Sequence, residues 1–157
     1  AQKRMGKGEK YFNMCKFRTM SEDAELLRDD LEDLNEADGP IFKIRNDPRI
    51  TKLGKFLRRT SIDELPQLIN VFRGEMSLVG PRPYPTKESE QFDTFERIRY
   101  DVLPGITGLA QVNGRSDLSI VEILRLDLYY IENWSIWFDI RIMFLTLFCG
   151  FVHENAY

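Results

Sequence analysis

The chain has 157 residues, enough for one domain with a single ordinary core, and 43% hydrophobic with 30% charged residues is a globular rather than a disordered balance. A formal charge of −3 argues against a polyanionic partner such as nucleic acid. One histidine, His153, and two widely separated cysteines, Cys15 and Cys149, speak against a Ser-His-Asp triad, a His-rich zinc site and a CxxC centre, and the thiols read as reduced residues of a cytosolic compartment.

The first predicted element is a strand in "GEKYFNMCKFRTM", where Tyr11, Phe12, Met14 and Phe17 are interleaved with polar residues after a "GKGEK" turn. Ser21 then opens a helix that ends before "ADGP". Between Ser21 and Asp38 nine acids face one base, a net of −8, so the remainder carries +5 against the total of −3. The acidic helix reads as a solvated face on a basic body. "DGPIFKIRNDPRITKLGKFLRR" supplies two proline turns and a basic helix, with Arg49, Lys52, Lys55, Arg58 and Arg59 as its charges and Ile50, Leu53, Phe56 and Leu57 as its apolar side.

That helix runs into "TSIDELPQL", where Asp63 and Glu64 stand side by side. Ser61 followed three residues later by Glu64 satisfies the capping-box pattern, and Asp63 could itself be an N-cap. The same acids could instead form a catalytic pair, and local chemistry supports both readings. Beyond them, "RGEMSLVGPRPYP" is expected to be a stiff loop, residues 86–102 a charged helix and "LPGITGLAQVNGRSD" a compact glycine-rich loop. A helix is predicted from Ser119 to Glu132, and Asp127 among its apolar residues should either pair with an arginine or lie near a site. The apolar run Ile142 to Val152 is well short of the roughly 20 residues of a membrane span. It reads either as a core helix or, because Trp134, Trp137, Phe138 and Arg141 precede it, as a helix lying against a bilayer.

Without a usable histidine, acid–base or metal chemistry must run on carboxylates and oxygen ligands. Phosphoryl transfer suits that inventory, because it needs positioning and charge neutralisation more than proton shuttling. One acid of the pair could attack phosphorus while the other holds Mg²⁺, which needs only one or two carboxylates. Arg58, Arg59, Arg82 and Arg115 could clamp phosphoryl oxygens, with Arg82 fixed in direction by the flanking prolines of "GPRP".

Taken in order, "KFRTM", "NDPRITKLGKFLRRTSIDELPQLINVFRGEMSLVGPRP", "PGITGLAQVNGR" and "LDLYYIENWSIWFDI" resemble the bacterial sugar transferase domain, the catalytic domain of monotopic polyprenol-phosphate phosphoglycosyl transferases. The match covers nearly all of residues 1–157, read as one catalytic domain of α+β class. It is expected to be helix-rich, with a small N-terminal β element and an amphipathic, aromatic C-terminal helix. The resemblance implies transfer of a hexose 1-phosphate from a UDP-hexose to undecaprenyl phosphate, releasing UMP, with Mg²⁺ as cofactor. It implies the cytoplasmic face of the bacterial inner membrane and the first membrane step of exopolysaccharide, capsule or O-antigen assembly. The family's acidic dyad falls on Asp63, the nucleophile of a covalent phosphosugar intermediate, and Glu64, which would help to bind Mg²⁺ with Asp63 beside it. The substrate-binding positions fall on Lys16, Arg18, Arg59, Pro81, Arg82, Pro83 and Arg115. Family members carry a membrane-inserting re-entrant helix upstream of a turn like "GKGEK", and the sequence begins at Ala1 without that segment. A homo-oligomer is compatible with all of this. Two alternatives stand beside the leading reading: one-step transfer with Asp63 as base, and a non-catalytic membrane-associated scaffold in which the acids only cap a helix.

Overall fold

The structure, a computed structural model, describes residues 2–36, 42, 44, 46–114 and 118–152, with the side chains of 149–152 left aside. It is a helix-rich α+β chain with two small two-stranded sheets, β1(Gln2–Met5) against β2(Tyr11–Met14) and β3(Ser77–Val79) against β4(Gly105–Thr107). The N-terminal strand predicted after the turn is β2, and its antiparallel partner is the segment before that turn, with Gln2 opposite Met14 and Met5 opposite Tyr11. Alternation puts Phe12 and Met14 inside, where they meet Met76.

The acidic segment is not one α-helix. It forms two 3-10 stretches, Glu22–Glu25 and Asp29–Leu34. Like charges at i,i+4 (Glu25 and Asp29, Asp29 and Asp33, Glu32 and Glu36) oppose a continuous α-helix, and Arg28 alone cannot offset them. The basic helix exists as α1(Lys52–Arg59), capped by the Thr51 hydroxyl accepting from the Gly54 N–H at 2.9 Å. Its expected apolar side is not buried, since Leu53 and Phe56 are exposed. The buried position is Gly54, where a Cβ would lie 1.9 Å from the Thr19 carbonyl oxygen, so backbone packs directly on backbone.

The stiff loop after α2(Gln67–Phe72) contains β3, and the glycine-rich loop contains β4 followed by α4(Leu109–Asn113). The glycines there serve close approach rather than turning. A Cβ on Gly105 would sit 2.1 Å from the Gly80 nitrogen, which is how the parallel pair Ser77–Gly105 and Val79–Thr107 closes. The helix expected over 86–102 is split into α3(Thr86–Ser89) and a 3-10 stretch, Glu96–Asp101. The break falls where Asp93 and Glu96 exchange hydrogen bonds, Glu96 N–H to Asp93 Oδ1 at 2.9 Å and Asp93 N–H to Glu96 Oε2 at 2.8 Å. This reciprocal cap starts a new turn and lets Phe92 and Tyr100 enter a cluster with Met5 and Tyr84.

α5(Ile120–Glu132) begins where predicted, and it carries the capping box that sequence reading placed at Ser61. Ser119 and Glu122 satisfy each other's backbone N–H groups. α6(Ile136–Val152) has one face in the core, as the core-helix reading expects, and another that is apolar and exposed. Ile142 is fully buried against Val79, Leu109 and Tyr130, whereas Trp137, Phe144, Leu147 and Phe148 are exposed. Among the described residues no helix is long and apolar enough to cross a membrane.

Candidate active site

α1 ends at Arg59, and the chain reverses through Ser61, which holds a left-handed conformation at φ 55°. A non-glycine residue there costs of order 1 kcal/mol. The reversal sets up a 3-10 turn, Ile62–Glu64, in which the Glu64 N–H donates to the Ser61 carbonyl at 3.1 Å. Ser61 makes no capping bond through its side chain, and the N-cap of α2 is Pro66, so neither acid caps a helix. The capping alternative is therefore corrected by geometry: the left-handed Ser61 points the chain away from the capping-box conformation.

The two carboxylates face cations instead. Asp63 is 2% exposed, and its Oδ2 lies 2.8 Å from Lys16 Nζ. The same ammonium is 3.6 Å from Glu64 Oε1, which also accepts a hydrogen bond from Arg82 Nη2 at 3.0 Å. Burial pushes the Glu64 carboxyl up, but the charges and hydrogen bonds of Arg82 and Lys16 outweigh it and hold the group below the usual carboxylate range. Lys16 is held below its ordinary value, first by burial and then by repulsion from Arg82, against the pull of Glu64 and Asp63. The two shifts differ in what they favour because Glu64 has two cations beside it while Lys16 has a like charge nearby. Formally, the four side chains cancel.

Lys16 is fixed by bonds on both of its chain neighbours. The Cys15 N–H donates to Asn70 Oδ1 at 2.9 Å, and the Phe17 N–H donates to the Asp63 carbonyl at 3.1 Å. Asn70, fully buried on α2, also donates Nδ2–H to the Asn13 carbonyl at 2.8 Å and to Glu75 Oε2 at 2.7 Å. Sequence reading missed Asn70; an amide inside "LINVF" was its only signal. Asn70→Ala is expected to destabilise the fold by on the order of 2–3 kcal/mol, because the Cys15 N–H and the Asn13 carbonyl lose their partners. A denaturant midpoint unchanged from wild type would remove Asn70 from this role.

Arg82 sits between two buried prolines, Pro81 and Pro83. Prolines carry no N–H, so the loop is held through its carbonyls. Pro81 O accepts from the Gly105 N–H at 2.9 Å, Arg82 O from Arg99 Nη2 at 3.0 Å and Pro83 O from Arg4 Nη1 at 3.3 Å. Asp127 has the arginine partner that its apolar surroundings called for: Arg99 Nη2 lies 2.7 Å from Asp127 Oδ2. Burial pushes the Asp127 carboxyl up to about 6, with Arg99 pulling it back.

Of the sequence-selected residues, the structure thus brings together Lys16, Asp63, Glu64 and the Pro81–Pro83 loop. Arg18 is turned to the surface, paired with Glu22 at 2.8 Å, and Arg59 is exposed at the end of α1. Arg58 is nearer, donating Nε–H to Thr19 Oγ1 at 2.9 Å and sensing the charge of Asp63. Arg115 lies outside the described residues.

This arrangement, a buried acid beside a second acid, both neutralised by a lysine and a proline-fixed arginine, is built on blocks of sequence that a family model for the bacterial sugar transferase matches over residues 1–153. The chain belongs to the bacterial sugar transferase family. Among bacterial sugar transferases it is 49% identical over 148 residues to the galactosyl transferase CpsE of Streptococcus agalactiae, covering 94% of this chain and 33% of that protein. It is 53% identical over 121 residues to the UDP-glucose:undecaprenyl-phosphate glucose-1-phosphate transferase of Escherichia coli, covering 72% of this chain and 26% of that one. An undecaprenyl-phosphate galactose phosphotransferase of Salmonella typhimurium is 42% identical over 165 residues, 98% of this chain and 33% of the relative. The chain spans between a quarter and a third of the length of these relatives.

Proposed function

We propose that this chain forms the catalytic part of a phosphoglycosyl transferase. It would move a hexose 1-phosphate from a UDP-hexose to undecaprenyl phosphate in polysaccharide synthesis, in line with the names of its relatives. The observation that carries the reading is the buried Asp63 with Glu64, Lys16 and Arg82 around it. An Asp63 carboxylate oxygen attacks the sugar-bearing phosphorus. The bond from that phosphorus to the bridging oxygen breaks, and UMP leaves with the electron pair. A phosphate oxygen of the polyprenol phosphate then attacks the same phosphorus, the aspartyl oxygen departs, and Asp63 is restored as a carboxylate. Lys16 and Arg82 supply positive charge where the phosphoryl oxygens gather it, already oriented before substrate arrives.

The donor set fits magnesium. Among the described residues no group of three or more His, Cys, Asp or Glu side chains converges, but Mg²⁺ asks only for one or two carboxylates, waters and substrate phosphates. Because the four side chains cancel in charge, a diphosphate would enter without a counterion of its own. Glu64, with Asp63 beside it, would hold the ion, which supplies that neutralisation when bound.

The place of action we propose is the cytoplasmic face of the inner membrane. Leu65, Leu68, Ile69 and Phe72 form an i, i+3, i+4, i+7 stripe that is exposed, and it begins one residue after Glu64. With Trp137 and Phe148 also exposed on α6, such apolar surface suits contact with the bilayer that holds the lipid acceptor. The test is UMP release by the intact protein with undecaprenyl phosphate and Mg²⁺, across UDP-glucose, UDP-galactose and their N-acetylated forms. Release with none of them would overturn the proposal. Exchange of labelled UMP into UDP-sugar without acceptor separates the covalent route from one-step transfer, in which Asp63 acts only as base.

A further inference from the structure

The buried pair of Arg99 and Asp127 is not explained by stability. Arg99 lies in the 3-10 stretch before β4, Asp127 lies on α5, and each is 3% exposed. Replacing a buried ion pair by apolar residues of similar volume is commonly neutral or stabilising, so a pair kept at such a position calls for another reason. The pair is not even fully satisfied, because Arg99 Nη1 is buried without a hydrogen-bond acceptor among the described residues. What the guanidinium adds, and no apolar residue could, is its bond to the Arg82 carbonyl. Its plane is further fixed by the Tyr84 ring at 4.5 Å and the Phe92 ring at 5.7 Å.

The chain of contacts is continuous. Asp127 holds Arg99, Arg99 holds the Arg82 backbone, and the Arg82 side chain reaches Glu64. Both contacts run through Arg99 Nη2, which lies between the Asp127 carboxylate and the Arg82 carbonyl and is held there by its planar, ring-packed guanidinium. We infer that Arg99 and Asp127 are positioning residues for the transfer reaction, setting the direction of the Arg82 guanidinium toward Glu64. The inference rests on the function proposed above, but its geometry can be tested separately.

The experiment uses two substitutions in the intact protein, the double replacement Arg99→Met with Asp127→Leu, and Arg99→Lys. Each is made in the wild-type and in the Arg82→Ala backgrounds. The double replacement is expected to fold, as apolar exchanges of buried pairs do. Its kcat should fall by about 10²-fold, the loss that follows a displacement of on the order of 1 Å in a positioned group. In the Arg82→Ala background the same replacement should add nothing, because the residue it acts through is gone. Equal losses in both backgrounds, or a folded variant with wild-type kcat, would overturn the inference. Should the double replacement fail to fold, Arg99→Lys carries the same cycle, as it keeps the charge opposite Asp127 without the planar guanidinium that the Tyr84 and Phe92 rings hold in place. A second readout needs no turnover: in a ¹⁵N NMR spectrum the Arg82 Nε–H resonance should shift in these variants in the wild-type background, because its guanidinium is re-aimed. An unchanged Arg82 resonance overturns the positioning role. Wild-type protein that releases no UMP, with the Arg82 shift present in the variants, overturns the function and leaves the positioning intact.

Discussion

Asp63→Asn is expected to abolish turnover and the covalent phosphosugar adduct while leaving the protein folded. The amide keeps the size of the carboxylate and still offers Oδ1 to Lys16, whose ammonium also has Glu64 at 3.6 Å, so the cation is not stranded. An amide oxygen, however, lacks the charge that makes a carboxylate a nucleophile toward phosphorus. Removing a covalent nucleophile typically lowers rate by 10⁴-fold or more, roughly the scale seen when such groups are deleted elsewhere. Incubating wild type and variant with UDP-sugar labelled in the sugar-bearing phosphate, then denaturing and measuring label on protein, decides the matter. An adduct that still accumulates in Asp63→Asn would assign the nucleophile elsewhere. If wild type shows neither adduct nor a burst of UMP without lipid acceptor, the one-step route is the better account.

The dyad could be picked out of the sequence because chemistry restricted it: with one histidine, two adjacent acids among arginines were the remaining means of catalysis. Its geometry could not be read there. The capping pattern at Ser61 and Glu64 was genuine as a pattern, and it lost to a left-handed Ser61 and to cations 16 and 82, which arrive from distant segments. Lys16 in particular is ordinary by composition. What singles it out is the clamp by Asn70 and the Asp63 backbone, contacts across some fifty residues of sequence that no local window contains. Glycines misled for a related reason. Gly105 looks like a turn signal, but its lack of a Cβ is used to let two strands close on each other. The apolar face of α1 was visible as periodicity, yet periodicity tells which residues share a face and not what covers it. Asp127 was the most informative single letter, since a buried charge must find a partner; only the fold could name Arg99.

Lys16→Met is expected to lower kcat by about 10²- to 10³-fold, the usual cost of removing one preorganised charge from a site that gathers negative charge. It should also destabilise the fold by about 3 kcal/mol at neutral pH, the low end for breaking a buried pair, since Arg82 still faces Glu64. The pH dependence tells this electrostatic loss from simple loss of packing. Glu64 is held below its ordinary range in the folded protein by Arg82 and Lys16 against burial. A depressed carboxyl contributes stability that is present above its unfolded value of about 4.3 and is lost as pH falls through the lower folded value. Removing Lys16 takes away part of that contribution, so wild type and variant should differ most above that unfolded value and converge as pH falls below the folded one. Lys16 itself is held below its ordinary value by burial and by Arg82, so its charged form already carries a penalty, and that keeps the loss near the low end. Thermal unfolding of both proteins from pH 3 to pH 8, with UMP release at saturating UDP-sugar, measures the two effects together. A stability gap that stays constant across that range would mean that Lys16 supports the dyad through its aliphatic stem and not through its charge.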